Sequence, residues 1–165
     1  MLKFAGFALL VISGALFGLQ CLGEKKRRLG FMRDMDTALA VMASEISLCA
    51  RALPELFAGL SESAPQSVRE FFAVAAIKCE ECGACDGWRE ACEFAGTTEE
   101  GRMALCSLAP ILGATTGERQ CAELERVRLL LAMECERLGK AIDSRLKSWP
   151  AMGACLGGLA AIMLL

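Results

Sequence analysis

Cys79, Cys82, Cys85 and Cys92 form the pattern C-x2-C-x2-C-x6-C, the one cluster in this chain whose residue types and spacing could do chemistry. Thiolates so spaced can hold zinc or an iron–sulfur cluster, because a two-residue loop lets neighbouring sulfurs reach one metal. The run also sits beside Gly83, where a helix would end. Against a cluster, the fourth cysteine is not at a ferredoxin-like spacing and no proline follows it. The remaining cysteines of the ten, Cys21, Cys49, Cys106, Cys121, Cys135 and Cys155, fall on apolar stripes as small hydrophobes would. Two readings stand: a metal or redox module, or a chain that uses Cys where Ala or Val would serve. A disulfide framework fits neither if the domain faces a reducing cytosol.

Other reactive constellations are missing from the sequence. With no His, there is no Ser-His or Cys-His pair and no His-containing metal site. No Gly-rich loop leads into Lys-Ser or Lys-Thr, so a Walker-type phosphate cradle is excluded. Glu80-Glu81, Glu99-Glu100 and Glu134/Glu136 are acidic neighbours, but at adjacent or i,i+2 positions on a helix they point apart and read as solvated faces. No catalytic residue can be assigned, and an enzyme is not expected. The net charge is −2 over 165 residues, which leaves no basic excess for nucleic acid.

The hydrophobic fraction, 55%, exceeds that of an ordinary soluble domain, and the excess sits at the two ends. Phe4 to Gly23 carries no charge and is roughly 30 Å long as a helix, the thickness of a bilayer core. Trp149 to Leu165 is also uncharged but spans only about 25 Å, with Trp149 placed as an interfacial anchor. The alternatives are a cleaved signal peptide for the first run, since Lys3 gives a small n-region, and a buried core helix for the second. Leu19-Gln20-Cys21-Leu22 offers no small-x-small cleavage site. The terminal Ala-Ile-Met-Leu-Leu argues against a soluble core, because chain ends fray.

Lys25, Lys26, Arg27 and Arg28 follow the first span directly, against Lys3 alone before it, and Arg145 and Lys147 precede the second. By the positive-inside rule the middle then faces the cytosol, behind a basic belt. The expected organisation is a span at residues 1–23, a cytosolic helical domain at 24–148 and a span at 149–165. Gly14 and Gly18, and Gly153 and Gly157, put side-chain-free positions on one face of each span. That spacing either makes a helix-pairing face or is ordinary glycine usage in membrane helices.

The middle reads as all-α. It lacks any alternating β-branched run. Met32, Met35, Leu39, Met42, Ile46, Cys49 and Leu53 step by three and four, an a/d seam of about three heptads that predicts one long helix wanting a partner. Pro54 ends it or starts the next helix. Pro65 starts another, with Val68, Phe71, Phe72 and Ala75 inward. Gly83–Gly87 is a break, and a short helix around Trp88, Ala91 and Cys92 follows it. Thr97 or Thr98 caps the next helix, with Met103, Leu105, Leu108 and Leu112 inward. A loop at Gly113–Gly117 leads into a last helix from about Glu118 to Ser148, striped by Leu124, Val127, Leu131, Cys135, Leu138, Ile142, Leu146 and Trp149, with Pro150 permitting a kink. The result is a bundle whose two long helices continue into the membrane spans and pack antiparallel.

In this order the pieces resemble the stage III sporulation protein AB family of endospore-forming bacteria. The likeness rests on the basic exit followed by Ala38-Leu39-Ala40-Val41-Met42-Ala43-Ser44-Glu45-Ile46 and Leu53-Pro54-Glu55-Leu56. Trp88 with Ala91, Leu112-Gly113, Thr116-Gly117-Glu118, Gln120, and the C-terminal Gly153, Gly157, Gly158 and Leu159 agree with it. The resemblance implies a non-enzymatic component of the assembly linking mother cell and forespore, in the mother-cell membrane. Its helical domain would be similar to that of the platform protein of type II secretion and type IV pilus systems. By that analogy it docks the assembly's cytosolic ATPase, stage III sporulation protein AA, and other membrane components. Self-association is an open possibility. No cofactor is implied. Glu45, Pro54, Gly113 and Gln120 match family motif positions, with local roles expected at the far end of the long helices. The alternative is a membrane-tethered metal or redox module using Cys79, Cys82, Cys85 and Cys92.

Overall fold

The computed structural model describes the backbone over residues 2–49 and 52–164 and the side chains of residues 20, 22–48 and 52–144. Six helices follow one another: α1 Leu2–Cys49, α2 Leu53–Ser63, α3 Gln66–Cys82, α4 Ala84–Glu93, α5 Glu99–Cys106 and α6 Gly117–Leu164. No strand occurs among the described residues, so the chain is all-α. It divides into two compact units, Arg27–Cys135 and a second made of Met1–Lys26 with Glu136–Leu165.

In the unit Arg27–Cys135, prolines and glycines set the helix ends. Ala52 is extended and Pro54 lies in the first turn of α2, where a missing N–H costs nothing. Pro65, also extended, precedes α3. Gly83 alone ends α3 and opens α4, at φ +90°, a backbone conformation that side-chain-bearing residues rarely adopt. The break is therefore one residue, not the whole stretch Gly83–Gly87. Gly87 lies inside α4, where a Cβ would come 2.5 Å from the backbone N of Cys79. Its bare Cα lets α4 fold back tightly onto α3. Thr98, not Thr97, caps α5, its hydroxyl accepting from the N–H of Gly101 at 3.2 Å.

The core is centred on Trp88, which is fully buried and touches the rings of Phe71 at 5.0 Å and Phe57 at 5.5 Å. Its indole N–H donates to the carbonyl of Leu105 at 2.8 Å, which ties α4 to the end of α5. Val68, Phe71, Phe72 and Ala75 are buried as their spacing predicts. Leu105, Leu108 and Leu112 are buried too, but Met103 is 57% exposed. One turn of α5 cannot turn both Met103 and Leu105 inward, since they are 200° apart around a helix.

Met32, Met35, Leu39 and Met42 are buried along α1, but the expected unbroken seam to Leu53 is corrected. Helix α1 is described as far as Cys49, and extended Ala52 stands before Leu53, which opens α2. The stripe is also broader than a two-helix seam. Phe31 stacks edge-on with Phe71 of α3 at 6.5 Å, and Met32 Sδ faces Gly101 of α5. Along its other side α1 runs antiparallel to α6. Ile46 lies beside Gly117, the Cys121 thiol reaches the carbonyl of Ala43 at 3.4 Å, and Arg128 pairs with Asp36 at 2.9 Å.

In the other unit, the described side chains include Leu22 and Ile142, both buried, and Lys140, which pairs with Glu136 one turn away at 2.6 Å. The backbone there is helical in both α1 and α6. No helix is long and apolar enough to cross a membrane among the described residues. The apolar runs placed at 1–23 and 149–165 lie almost wholly outside the described side chains, as do Leu146, Trp149 and Pro150.

Candidate functional site

The four clustered cysteines do not form a centre. Cys79 is buried on α3, and burial raises its thiol pKa, assisted by Cys82 and Glu80. Cys82 is exposed at the end of α3, its thiol donating to the carbonyl of Lys78 at 3.0 Å. Cys85 lies in the first turn of α4, with the Arg89 guanidinium 3.8 Å from its sulfur. Cys92 is buried two turns on, its neighbour being Cys106 of α5. Among the described residues no three Cys, Asp or Glu side chains are grouped to hold a metal ion. One strictly helical turn separates Cys79 from Cys82 and another begins at Cys85, so the sulfurs are distributed over both helices instead of facing a common loop.

Of the acidic neighbours read as solvated, Glu134 is a correction. It is only 8% exposed and accepts a hydrogen bond from the Thr98 hydroxyl at 3.0 Å, beside the N-terminus of α5. Its position continues the 127, 131, 134 stripe of α6, the signal that marks it as inward. Glu136 and Glu99 are exposed and held below the usual carboxylate range by hydrogen bonds from Lys140 and Arg102.

What the fold does bring together is three of the four positions that carry the sequence resemblance. Pro54, Gly113 and Gln120 line one open cleft of about 510 Å³ with Ile46, Leu53, Cys79 and Ala84. Glu45 precedes Ile46 on α1 and is half-buried. The cleft lies where the ends of α1 and α3 meet the starts of α2, α4 and α6. Gly113 has φ +76° and stands in close contact range of Leu53 and Ala84. Gln120 is 8% exposed, and its amide N–H donates to the carbonyl of Thr115 at 2.9 Å, pinning the turn before α6 to that helix. Chemically the cleft offers apolar contact and shape, with no nucleophile–base pair. Ala84 and Gly117 also line it, and nothing in their spacing along the sequence marks them.

Of the basic belt, Lys26 and Arg27 are exposed and Lys25 and Arg28 half-buried on α1. Gly14 and Gly18 lie on α1 and Gly153 and Gly157 on α6, outside the residues whose side-chain surroundings are described.

Comparison with known proteins decides the family. The model for stage III sporulation protein AB matches residues 3–165. The chain belongs to the stage III sporulation protein AB family. A solved structure titled stage III sporulation protein AB is similar in fold, with a TM-score of 0.64 at 15% identity over 71% of this chain and 97% of that one. None of the curated proteins matches. The family places the chain in sporulation.

Proposed function

We propose that this member of the family is a membrane platform that works by contact, docking the cytosolic ATPase of the stage III sporulation assembly, stage III sporulation protein AA, to the membrane channel. The observation that carries the reading is the family match over residues 3–165, which takes in both apolar ends as well as the helical middle. In this reading residues 1–23 and 149–165 are the two spans, pairing through Gly14, Gly18, Gly153 and Gly157. Lys25, Lys26, Arg27 and Arg28 sit among lipid phosphates on the cytosolic side of the mother-cell membrane. Residues 24–148 are the cytosolic domain. Its well-packed core and its apolar, chemically inert cleft suit a protein that transmits position.

The test is affinity purification of the tagged full chain from detergent-solubilised membranes of sporulating cells. The ATPase is expected to co-purify, and deletion of the chain is expected to abolish spore formation. Purification without the ATPase, together with normal spore counts in the deletion strain, contradicts the proposal.

A further inference from the structure

We infer that Cys92 of α4 and Cys106 of α5 form a peroxide-responsive clamp, two thiols that close to a disulfide and lock the two helices together. The inference goes beyond the platform reading and does not rest on it. Three observations carry it.

The first is register. The buried indole N–H of Trp88 donates to the carbonyl of Leu105 at 2.8 Å, which fixes α4 against the end of α5. Cys92 stands one helical turn beyond Trp88, on the same buried face, and Cys106 follows Leu105 directly. The second is contact. The two thiols are hydrogen-bonding neighbours across the helices, so packing supplies the proximity that ring closure needs. The third is unequal access. Cys92 is fully buried, whereas Cys106 is half-buried and open to a small oxidant from solvent.

That difference sets the order of steps. The Cys106 thiolate attacks one oxygen of hydrogen peroxide, the O–O bond breaks, and the departing hydroxide takes up a proton to leave as water. Cys106 is then a sulfenic acid, oxidised by two electrons. The Cys92 sulfur attacks it, the S–O bond breaks, and the hydroxyl leaves as a second water with the Cys92 proton. Two thiols and one peroxide thus give one disulfide and two waters, and a dithiol reductant reverses the product by exchange. The closed ring holds the link between α4 and α5. In that link Gly96 faces the Phe31 ring of α1, and the Thr98 hydroxyl donates to Glu134 of α6. The clamp therefore stiffens the segment that touches both long helices.

The experiment treats the detergent-solubilised full chain with hydrogen peroxide, blocks the remaining thiols and maps disulfides by peptide mass. A Cys92–Cys106 disulfide is expected at about tenfold or more the level of any other pairing of Cys92. Closure should raise the urea midpoint by about 1 M, and dithiothreitol should return it. Cys92→Ala should leave a Cys106 sulfenic acid that dimedone traps about fivefold more than in the parent. Cys106→Ser, at a half-buried position outside the aromatic core, should leave Cys92 a free thiol after the same treatment. Cys92 remaining free in the parent while exposed Cys82 is oxidised, pairing of Cys92 with other cysteines as often as with Cys106, or a disulfide that lowers the urea midpoint overturns the clamp.

Discussion

Arg128 and Asp36, 92 residues apart in the chain, meet through a 2.9 Å hydrogen-bonded ion pair between α6 and α1. The Asp36 carboxylate raises the Arg128 pKa. With Ala43–Cys121 and Ile46–Gly117, the pair fixes one antiparallel register: seven residues along α1 from Asp36 to Ala43 match seven back along α6, and the next three match four. Because both groups are partly solvated, Asp36→Ala is expected to cost only about 0.5 kcal/mol. The register itself is tested by Ala43→Cys. Mild oxidation should join the new thiol to Cys121, identified by peptide mass, while Ala40→Cys, a turn away, should cross-link far less. Equal cross-linking at both positions would refute the register.

Gly87 is predicted to tolerate no side chain. A methyl group there meets backbone atoms of Lys78 and Cys79 at 2.7 and 2.5 Å, and backbone cannot swing aside as a side chain can. Gly87→Ala gains about 1 kcal/mol of helix propensity, but displacement of α4 from α3 should outweigh it, for a net loss of about 2 kcal/mol. Urea unfolding of the detergent-solubilised full chain, followed by Trp88 fluorescence in a Trp149→Phe background, measures it. A Gly87→Ala protein as stable as its parent would show that the helices are not so close.

Glu134 and Thr98 should behave as one unit. Each single change to alanine breaks the same 3.0 Å bond, and Thr98→Ala also removes the cap of α5. Losses of about 1–3 kcal/mol are expected for Glu134→Ala and about 1 for Thr98→Ala. The double variant should lose less than the sum. Strict additivity in the same unfolding assay would contradict the coupling.

Burial, and then the neighbouring Cys106, push the Cys92 thiol far above its ordinary range, with Arg102 pulling slightly the other way. The sign follows. Above the unfolded thiol pKa, near 8.5, the unfolded chain loses a proton that the folded chain keeps. Stability therefore falls as pH rises from there toward the folded value. Cys92→Ala should flatten the stability profile between about pH 9 and 11 relative to the parent, after subtraction of its constant packing loss. At pH 8, N-ethylmaleimide should modify exposed Cys82 at once and Cys92 only on unfolding, as mapped by mass spectrometry. Rapid labelling of Cys92 in the folded protein would contradict its burial.

Much of the helix order is legible in the residues, because period and punctuation agree. Pro54, Pro65 and Gly83 stand at element ends, and Val68, Phe71, Phe72 and Ala75 keep a helical step that ends up buried. Where local patterns mislead, a tertiary contact has won. Gly87 looks like a breaker only when its partner backbone on α3 is unknown. Glu134 looks solvated only when charge outweighs its place on the 127, 131, 134 stripe. The C-x2-C-x2-C pattern looks like a ligand set until the helices spread its sulfurs. The cleft was not legible at all. Pro54, Gly113 and Gln120 are far apart in the chain and share no periodicity; only the return of α6 to the end of α1 gathers them.

Labelling of Cys82 with a membrane-impermeant maleimide tests the membrane reading most directly, since this thiol is exposed on the folded helical unit. In intact cells Cys82 should stay unlabelled, and it should react once the cells are opened, with the chain remaining in carbonate-washed membranes. Label on Cys82 in intact cells, or release of the chain by the carbonate wash, would contradict a cytosolic domain held by two lipid-embedded ends.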